Sequence, residues 1–127
     1  MSFLIDTQVF LWFETGSNRL SRRARSLLED TKEAAYFSAA SFWEIAIKRR
    51  AGKLAFRGSA RAAAAAAGFL ELDINAADAE TAGELDWDHR DPFDRMLVAQ
   101  CLNRELTLVS ADARLRARGD IAVMWAG

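Results

Sequence analysis

The spacing of apolar residues predicts short buried strands that alternate with helices. Compact apolar runs, which are typical of strands covered on both faces, occur at Phe3–Ile5, Ala35–Phe37, Phe69–Ile74, Leu106–Val109 and Ile121–Trp125. The segments between these runs have helical apolar spacing or high helix propensity. Because strands that alternate with helices form parallel βαβ units, we predict a three-layer α/β/α fold with a parallel central sheet.

Capping and helix-breaking residues set the bounds of the predicted helices. Ser21 and Asn75 are suited to cap helices, Asp91 precedes a proline that favours the first helical position, and Gly52 and Gly68 are suited to end helices. The predicted helices cover about residues 9–13, 21–30, 41–52, 59–67, 75–85, 92–104 and 113–118. The segment at 59–67 contains six consecutive alanines and has the highest helix propensity of the chain.

The length of 127 residues and an apolar content of 51% predict one folded domain over residues 1–127. Cys101 is the only cysteine, which excludes an internal disulfide and favours a reducing compartment. The first residues contain neither a basic segment nor a long apolar stretch, so we expect no signal peptide, no membrane span and a cytoplasmic protein.

The charge distribution is uneven, although the formal net charge is only −1. Between Arg19 and Arg61 there are eleven basic and four acidic residues, a balance of +7, whereas between Glu71 and Asp94 there are one basic and nine acidic residues, a balance of −8. This asymmetry is compatible with a basic surface for phosphates beside an acidic pocket for cations. It is equally compatible with solvated helix faces that differ in sign.

Two acidic residues follow predicted strands. Asp6 comes directly after the first strand, and Asp112 comes three residues after Val109. Ligands of open α/β sheets bind at the carboxyl ends of the strands, which makes both residues candidates for a functional site. The alternative for each is a helix N-cap, a position that aspartate favours.

Two further acidic residues lie near predicted helix starts. Glu44 fits a capping box with Ser41 and lies four residues before Lys48, so a structural role is the alternative to a functional one. Asp94 follows the predicted cap Asp91, at a position where a carboxylate also suits the helix dipole.

A shared position for these four carboxylates would require a cation. Clustered carboxylates repel one another unless a positive charge neutralises them. Since the available ligands are oxygen atoms, Mg²⁺ or Mn²⁺ is favoured over Zn²⁺. His89 and Cys101 are too isolated in the sequence to predict a site with softer ligands, and we expect His89 at the surface or at a rim.

Four segments together resemble PIN-domain proteins, and among these the VapC-type toxins of bacterial toxin–antitoxin pairs. The segments follow one another in order over nearly the whole chain and are Leu4–Thr7, Ser38–Lys48, His89–Gln100 and Leu108–Asp112. The most specific parts are Trp-Glu-Ile-Ala-Ile-Lys and Arg-Asp-Pro-Phe-Asp-Arg. The resemblance implies a PIN-like, Rossmann-like fold and an Mg²⁺- or Mn²⁺-dependent endoribonuclease that leaves a 5′-phosphate.

The resemblance also implies a set of site residues. The catalytic acids carry over to Asp6, Glu44, Asp94 and Asp112, of which Asp6, Asp94 and Asp112 are expected to hold the metal. The residues expected near the substrate are Thr7 after the first acid, Ser110 near the last acid, and Lys48 and Arg95 as candidates to hold the RNA backbone, with Arg49 and Arg50 as weaker candidates. Gln8 stands where many relatives have histidine, which removes any role for an imidazole at that position.

The expected partners are an RNA substrate and a cognate antitoxin protein, which the resemblance implies, and a second copy of the chain. A homodimer or antitoxin interface would use apolar residues in excess of a small core, for which the candidates are the alanine-rich helix, Trp12, Phe13, Phe42 and Trp43. The alternative is that these residues all belong to the core.

Three other function classes share parts of this pattern. A response-regulator receiver needs adjacent acids after its first strand and a lysine after a late strand, whereas here Asp6 stands alone. A haloacid-dehalogenase-type phosphatase needs a second aspartate where this chain has Gln8. A PIN fold that binds RNA or an antitoxin without cleavage remains the alternative to the nuclease.

Overall fold

The computed structural model describes residues 1–30 and 32–127, and a five-stranded sheet forms its centre. The strands are β1 (Ser2–Ile5), β2 (Ala34–Ser38), β3 (Leu70–Leu72), β4 (Thr107–Ser110) and β5 (Val123–Trp125). Their order across the sheet is β3-β2-β1-β4-β5, and every neighbouring pair is parallel. All five strands fall on the apolar runs that predicted them.

Helices connect the strands at the predicted places. They are α1 (Thr7–Thr15), α2 (Arg22–Glu29), α3 (Ala39–Arg50), α4 (Ala60–Ala66), α5 (Ala76–Glu84), α6 (Pro92–Arg104) and α7 (Ala113–Arg116). The longest of them, α6, has 13 residues. Within residues 1–30 and 32–127, no helix combines the length and the apolarity that a membrane span requires.

The sheet separates two hydrophobic cores, because successive side chains of a strand point to opposite faces. Phe3 and Ile5 of β1 pack into a core with α1, α2, α3 and α4. Leu4, between them, packs into a second core with α6 and α7. Neighbouring strands alternate in the same way, with Val109 in the first core and Leu108 in the second. This arrangement confirms the predicted three-layer α/β/α fold.

Side-chain caps fix most helix starts where the sequence predicted them. The side chains of Ser21, Asn75 and Asp91 each accept a backbone hydrogen bond at the start of α2, α5 and α6. The predicted capping box of Ser41 and Glu44 is wrong. Helix α3 begins at Ala39, because Ser38 at the end of β2 provides the cap by accepting a hydrogen bond from the Ala40 backbone N–H. Ser41 and Glu44 therefore lie within the helix.

The strand order also fixes where a ligand can bind. The chain moves from β1 outward to β2 and β3 on one side, and then returns to place β4 on the other side of β1. Such a reversal opens a crevice between the carboxyl ends of the two strands where the direction changes. In this protein the crevice lies between the end of β1, which leads into Asp6, and the end of β4, which leads towards Asp112.

Candidate metal centre

One cavity of about 470 Å³ lies at the carboxyl ends of the strands. The four acidic residues singled out from the sequence all line it, although they come from four different parts of the chain. The acidic lining residues are Asp6, Glu44, Asp91, Asp94 and Asp112. The structure thus brings the predicted carboxylates together at one edge of the sheet, and adds Asp91 to them.

Asp6 is the most buried member of this acidic cluster, with 7% of its surface exposed. Although it stands at the N-cap position of α1, its side chain makes no capping hydrogen bond, so the alternative role as a cap is wrong. Its Oδ2 atom instead accepts a hydrogen bond of 2.7 Å from the hydroxyl of Ser110 on β4. Burial, together with the charges of Asp94, Glu44 and Asp112, raises the pKa of Asp6 to about 6 against the opposing effect of this hydrogen bond.

Asp94 is held in place by a histidine. Nε2 of His89 lies 2.7 Å from Oδ2 of Asp94, and both side chains are mostly buried. Burial raises the pKa of Asp94, the hydrogen bond with His89 opposes this effect, and the charges of Asp91 and Asp112 reinforce it. Asp94 is therefore a second carboxyl group whose ionised form the fold destabilises in the absence of a positive charge.

Asp112 serves both as a cap and as part of the cavity wall. Its Oδ1 accepts a hydrogen bond of 2.9 Å from the Arg114 backbone N–H, which starts α7, and its Oδ2 lies 3.0 Å from the Arg114 guanidinium. Partial burial would raise the pKa of Asp112, but the hydrogen bonds and charge of Arg114 lower it overall. Asp112 therefore remains ionised under conditions in which Asp6 takes up a proton.

Glu44 projects into the cavity from the second turn of α3. Lys48, one turn further, donates a hydrogen bond of 2.6 Å to its Oε2 atom, which confirms the predicted ion pair. The pair raises the pKa of Lys48, and Asp91 and Asp94 add to this effect. The start of α3 is tied to α1 by the buried hydroxyl of Thr7, which donates to the Ser41 hydroxyl at 2.8 Å.

The remaining predicted site residues occupy different positions. Thr7 and Lys48 line the cavity. Ser110 is fully buried behind Asp6, where its hydroxyl also accepts a hydrogen bond from the Asp112 backbone N–H. Because Ser110 is enclosed, it can influence a substrate only through its hydrogen bond to Asp6.

Arg95 holds the loop between α5 and α6. Its guanidinium donates hydrogen bonds to five backbone carbonyls, those of Ala82, Gly83, Leu85, Trp87 and His89. These bonds hold Arg95 on the protein, and it is not among the residues that line the cavity, so Arg95 is not retained among the RNA-binding candidates. Arg49 also lies outside the cavity lining, and its Nη1 donates to the carbonyls of Phe56 and Gly58.

The donor set fits a divalent cation. Nitrogen or oxygen atoms of His89, Asp91 and Asp94 lie within 4.8 Å of one another, and the cavity adds the oxygens of Asp6, Glu44 and Asp112. Hard cations such as Mg²⁺ and Mn²⁺ prefer carboxylate oxygens, and Mn²⁺ also accepts an imidazole. Burial, reinforced by the charges of neighbouring carboxylates, raises the pKa values of Asp6 and Asp94, so a bound cation would favour their ionised forms.

Sequence reasoning missed His89 and Arg114 as members of the site and gave Asp91 only the role of a helix cap. The expectation that His89 is isolated is wrong, since it contacts Asp94 and also places Nδ1 3.4 Å from the Arg114 guanidinium. Arg114 lines the cavity with a largely exposed side chain. The available signals were the proximity of His89 to Asp94 in the sequence, and the position of Arg114 just after the last acid.

Comparisons with known proteins agree with this architecture. The family model described as PIN domain matches residues 3–121. A comparison with curated proteins gave no significant sequence match.

Solved structures of toxin–antitoxin complexes have the same fold. VapBC2 from Rickettsia felis bound to a promoter DNA fragment superposes with a TM-score of 0.67 at 12% identity, over 98% of this chain and 98% of that chain. A toxin–antitoxin complex from Klebsiella pneumoniae gives 0.67 at 18% identity, over 96% and 95%. DNA-bound VapBC from Salmonella typhimurium gives 0.65 at 18% identity, over 98% and 97%. With a family match over nearly its whole length and a parallel sheet of the same fold, the chain belongs to the PIN domain family.

Proposed function

We propose that this protein is a cytoplasmic endoribonuclease dependent on Mg²⁺ or Mn²⁺, the toxin component of a toxin–antitoxin pair. The observation that carries the proposal is the convergence of Asp6, Glu44, Asp94 and Asp112 on one cavity, where burial and mutual repulsion raise the pKa of Asp6 to about 6. Buried carboxylates that repel one another destabilise the fold, and such groups are typical of functional sites.

Asp6, Asp94 and Asp112 are the proposed metal ligands, and His89 and Asp91 each place a potential ligand atom within 4.8 Å of one on Asp94. A bound divalent cation would supply Lewis-acid chemistry, since it lowers the pKa of water and neutralises charge on phosphoryl oxygens. Ser110 and His89 hold the Asp6 and Asp94 carboxylates in fixed orientations by hydrogen bonds of 2.7 Å each. Lys48 engages only one oxygen of Glu44, so the other can orient the attacking water.

Lys48 and Arg114 are the proposed contacts to the RNA backbone. Both line the cavity, and both keep part of the side chain in solvent, with exposures of 44% and 61%. Attack of water on the phosphorus breaks the bond to the 3′ oxygen, which takes a proton and leaves as a hydroxyl. The other product carries the 5′-phosphate.

The proposed protein partners are an antitoxin and a second copy of the chain. Similarity to structures described as toxin–antitoxin complexes supports the antitoxin. Trp43 and Ile47, one turn apart on α3, have exposures of 61% and 43%, which is unusual for such side chains and supports a protein interface. Sedimentation equilibrium tests the homodimer, for which the expected mass is twice 14.1 kDa.

The decisive experiment is a cleavage assay on single-stranded RNA with the purified protein in Mg²⁺, in Mn²⁺ and in EDTA. We expect cleavage with either metal and none in EDTA. Asp94→Asn should lower the rate by about a hundredfold or more, because it removes a ligand from the metal centre. Glu80→Gln is the matched control, since Glu80 is an exposed acid outside the cavity.

The same assay separates the nuclease from the alternative, a PIN fold that binds RNA or an antitoxin without cutting. RNA binding with no cleavage in either metal would favour that alternative. Cleavage that survives EDTA, or that Asp94→Asn leaves unchanged, would contradict the proposed metal centre. Mapping of the product ends then tests the 5′-phosphate.

A further inference from the structure

The cavity has an apolar wall beside its acidic end. Leu11 and Trp12 of α1, and Leu54 of the loop after α3, line the same space as the carboxylates. Gln8 lines it as well, one turn before Leu11 and Trp12 on the same helix. With a rise of about 1.5 Å per residue, Trp12 lies about 9 Å along α1 from Asp6.

The side chains of this wall are fixed to different degrees. Leu11, Trp12 and Leu54 are partly buried and pack against the hydrophobic core with their other sides. Gln8 is exposed, and its side chain has no hydrogen bond to any other residue in the described part of the chain. The wall therefore offers a supported aromatic surface next to an amide whose donor and acceptor are both available.

We propose that this wall binds an unpaired nucleobase next to the cleaved phosphodiester, with the base against Trp12 and its edge hydrogen-bonded to Gln8. The inference rests on the proposed function, because the nucleobase would belong to the single-stranded RNA that the proposed nuclease cleaves. Bases that are not paired stack on aromatic side chains and are read by hydrogen bonds to their edges. The base subsite, defined as Gln8, Leu11, Trp12 and Leu54, would thereby set the position of the phosphate over the carboxylates.

Two cations at the acidic end and the size of the cavity suit a nucleotide that binds together with the divalent cation of the proposed function. Lys48 and Arg114 supply two cations at the acidic end, where a phosphate would lie. About 470 Å³ is near the lower end of the range of small-molecule sites, which suits one nucleotide with a cation. The indole of Trp12 and two leucine side chains give the cavity an apolar wall on the scale of one base.

The test compares the binding of two RNA oligomers by fluorescence anisotropy in Mg²⁺. One is a single-stranded oligomer, and the other is a ribose-phosphate chain of the same length with no bases. Both are measured with Asp94→Asn protein to prevent cleavage, alone and combined with Trp12→Leu, Trp12→Phe or Arg114→Ala. Because the readout is binding, failure of the base subsite is distinguishable from failure of the nuclease.

We expect the intact oligomer to bind about 10- to 100-fold more tightly than the abasic chain, which corresponds to stacking of one base. Trp12→Leu should remove most of this ratio, and Trp12→Phe should retain most of it. Arg114→Ala should weaken both oligomers by the same factor. Because Trp12 also packs against the core, Gln8→Ala provides a second variant that should lower the ratio severalfold without affecting the fold.

Equal binding of the two oligomers without a Trp12 substitution would overturn the inference and leave the wall to a protein ligand. If the Trp12→Leu protein folds and keeps the same ratio of affinities for the intact and the abasic oligomer, the inference would be overturned as well. If Trp12→Leu does not fold, an unchanged ratio in Gln8→Ala has the same consequence.

Discussion

The hydroxyl of Ser110 donates a hydrogen bond of 2.7 Å to Oδ2 of Asp6, across the crevice between β4 and β1. Ser110 is fully buried and Asp6 nearly so, which makes this contact one that water cannot replace. The same hydroxyl accepts the backbone N–H of Asp112, at 3.0 Å. One serine therefore sets the positions of two of the proposed metal ligands.

Ser110→Ala should weaken Mg²⁺ binding by about 10- to 100-fold, the range typical for loss of a hydrogen bond to a metal ligand. The Asp6 carboxylate loses the bond that favours its ionised form, so its pKa rises further. Calorimetric titration with Mg²⁺ and the metal dependence of cleavage measure the effect. Ser26→Ala, on the exposed surface of α2, is the control. An unchanged Mg²⁺ affinity would show that Ser110 does not orient Asp6.

Asp6→Asn should stabilise the metal-free protein at neutral pH. The pKa of Asp6 is about 6 in the folded protein and 3.8 in the reference state, so ionisation above pH 6 costs the fold up to about 3 kcal/mol. As the pH falls from 6 to 4, the folded wild-type protein binds the proton and this cost disappears. The gain in unfolding free energy from Asp6→Asn should therefore be largest above pH 6 and vanish near pH 4.

Urea unfolding in EDTA at several pH values measures this difference, and addition of Mg²⁺ provides the complementary test. The cation should stabilise the wild-type protein and have little effect on Asp6→Asn. If the variant is less stable than the wild type in EDTA at pH 7.5, the carboxylate is not under the electrostatic cost that the geometry implies.

His89→Ala should raise the Mg²⁺ concentration for half-maximal cleavage by about tenfold, because Asp94 loses the partner that orients it. Gln also carries an N–H donor, so His89→Gln should restore part of the loss. Because His89 is the only histidine of the chain, its ring resonances in an NMR spectrum are identified without further assignment. Mn²⁺ should broaden them at substoichiometric concentration, and sharp resonances in saturating Mn²⁺ would place the metal elsewhere.

Arg104→Ala should destabilise the fold by about 3–5 kcal/mol, because it leaves the fully buried Asp78 without its cation. Burial alone would raise the pKa of Asp78, but hydrogen bonds from Arg104, Asn103, the Asn75 backbone N–H and Gln100 hold it well below its ordinary value. The stability from this group is therefore complete above about pH 4 and is lost as the pH falls further. Urea unfolding measures both effects, and Arg61→Ala at the exposed Arg61–Glu71 pair should leave the unfolding midpoint unchanged.

The sequence predicted all the strands and helices because their signals are local. A buried strand appears as an apolar run. Residues such as Ser21 and Asn75 mark helix starts, because each side chain accepts a hydrogen bond from the backbone N–H three residues further along the chain. The failure at Ser41 has the same origin. Two serines, Ser38 and Ser41, were both suited to cap α3, and only the pairing of β2 places Ser38 at the junction.

The acidic cluster was predictable because strand ends carry side chains to a common edge of the sheet, but its orientation partners were not. His89 reaches Asp94 since Arg95 binds the carbonyls of the preceding loop and so fixes its path. That path depends on α5 packing against α6, which no local pattern encodes. The expectation that Arg95 holds the RNA backbone failed in the same way. Its charge is visible in the sequence, whereas its five carbonyl partners depend on the fold.

The contact between Asp6 and Ser110 joins residues that are 104 positions apart, and β4, which carries Ser110, follows β2 and β3 in the chain. A polypeptide still emerging from the ribosome consequently lacks one wall of the acidic pocket until β4 and Asp112 have been translated. A chain that ends before β4 would lack both the Ser110 partner of Asp6 and the Asp112 carboxylate. The proposed cleavage of RNA thus requires a pocket that is complete only once β4 pairs with β1.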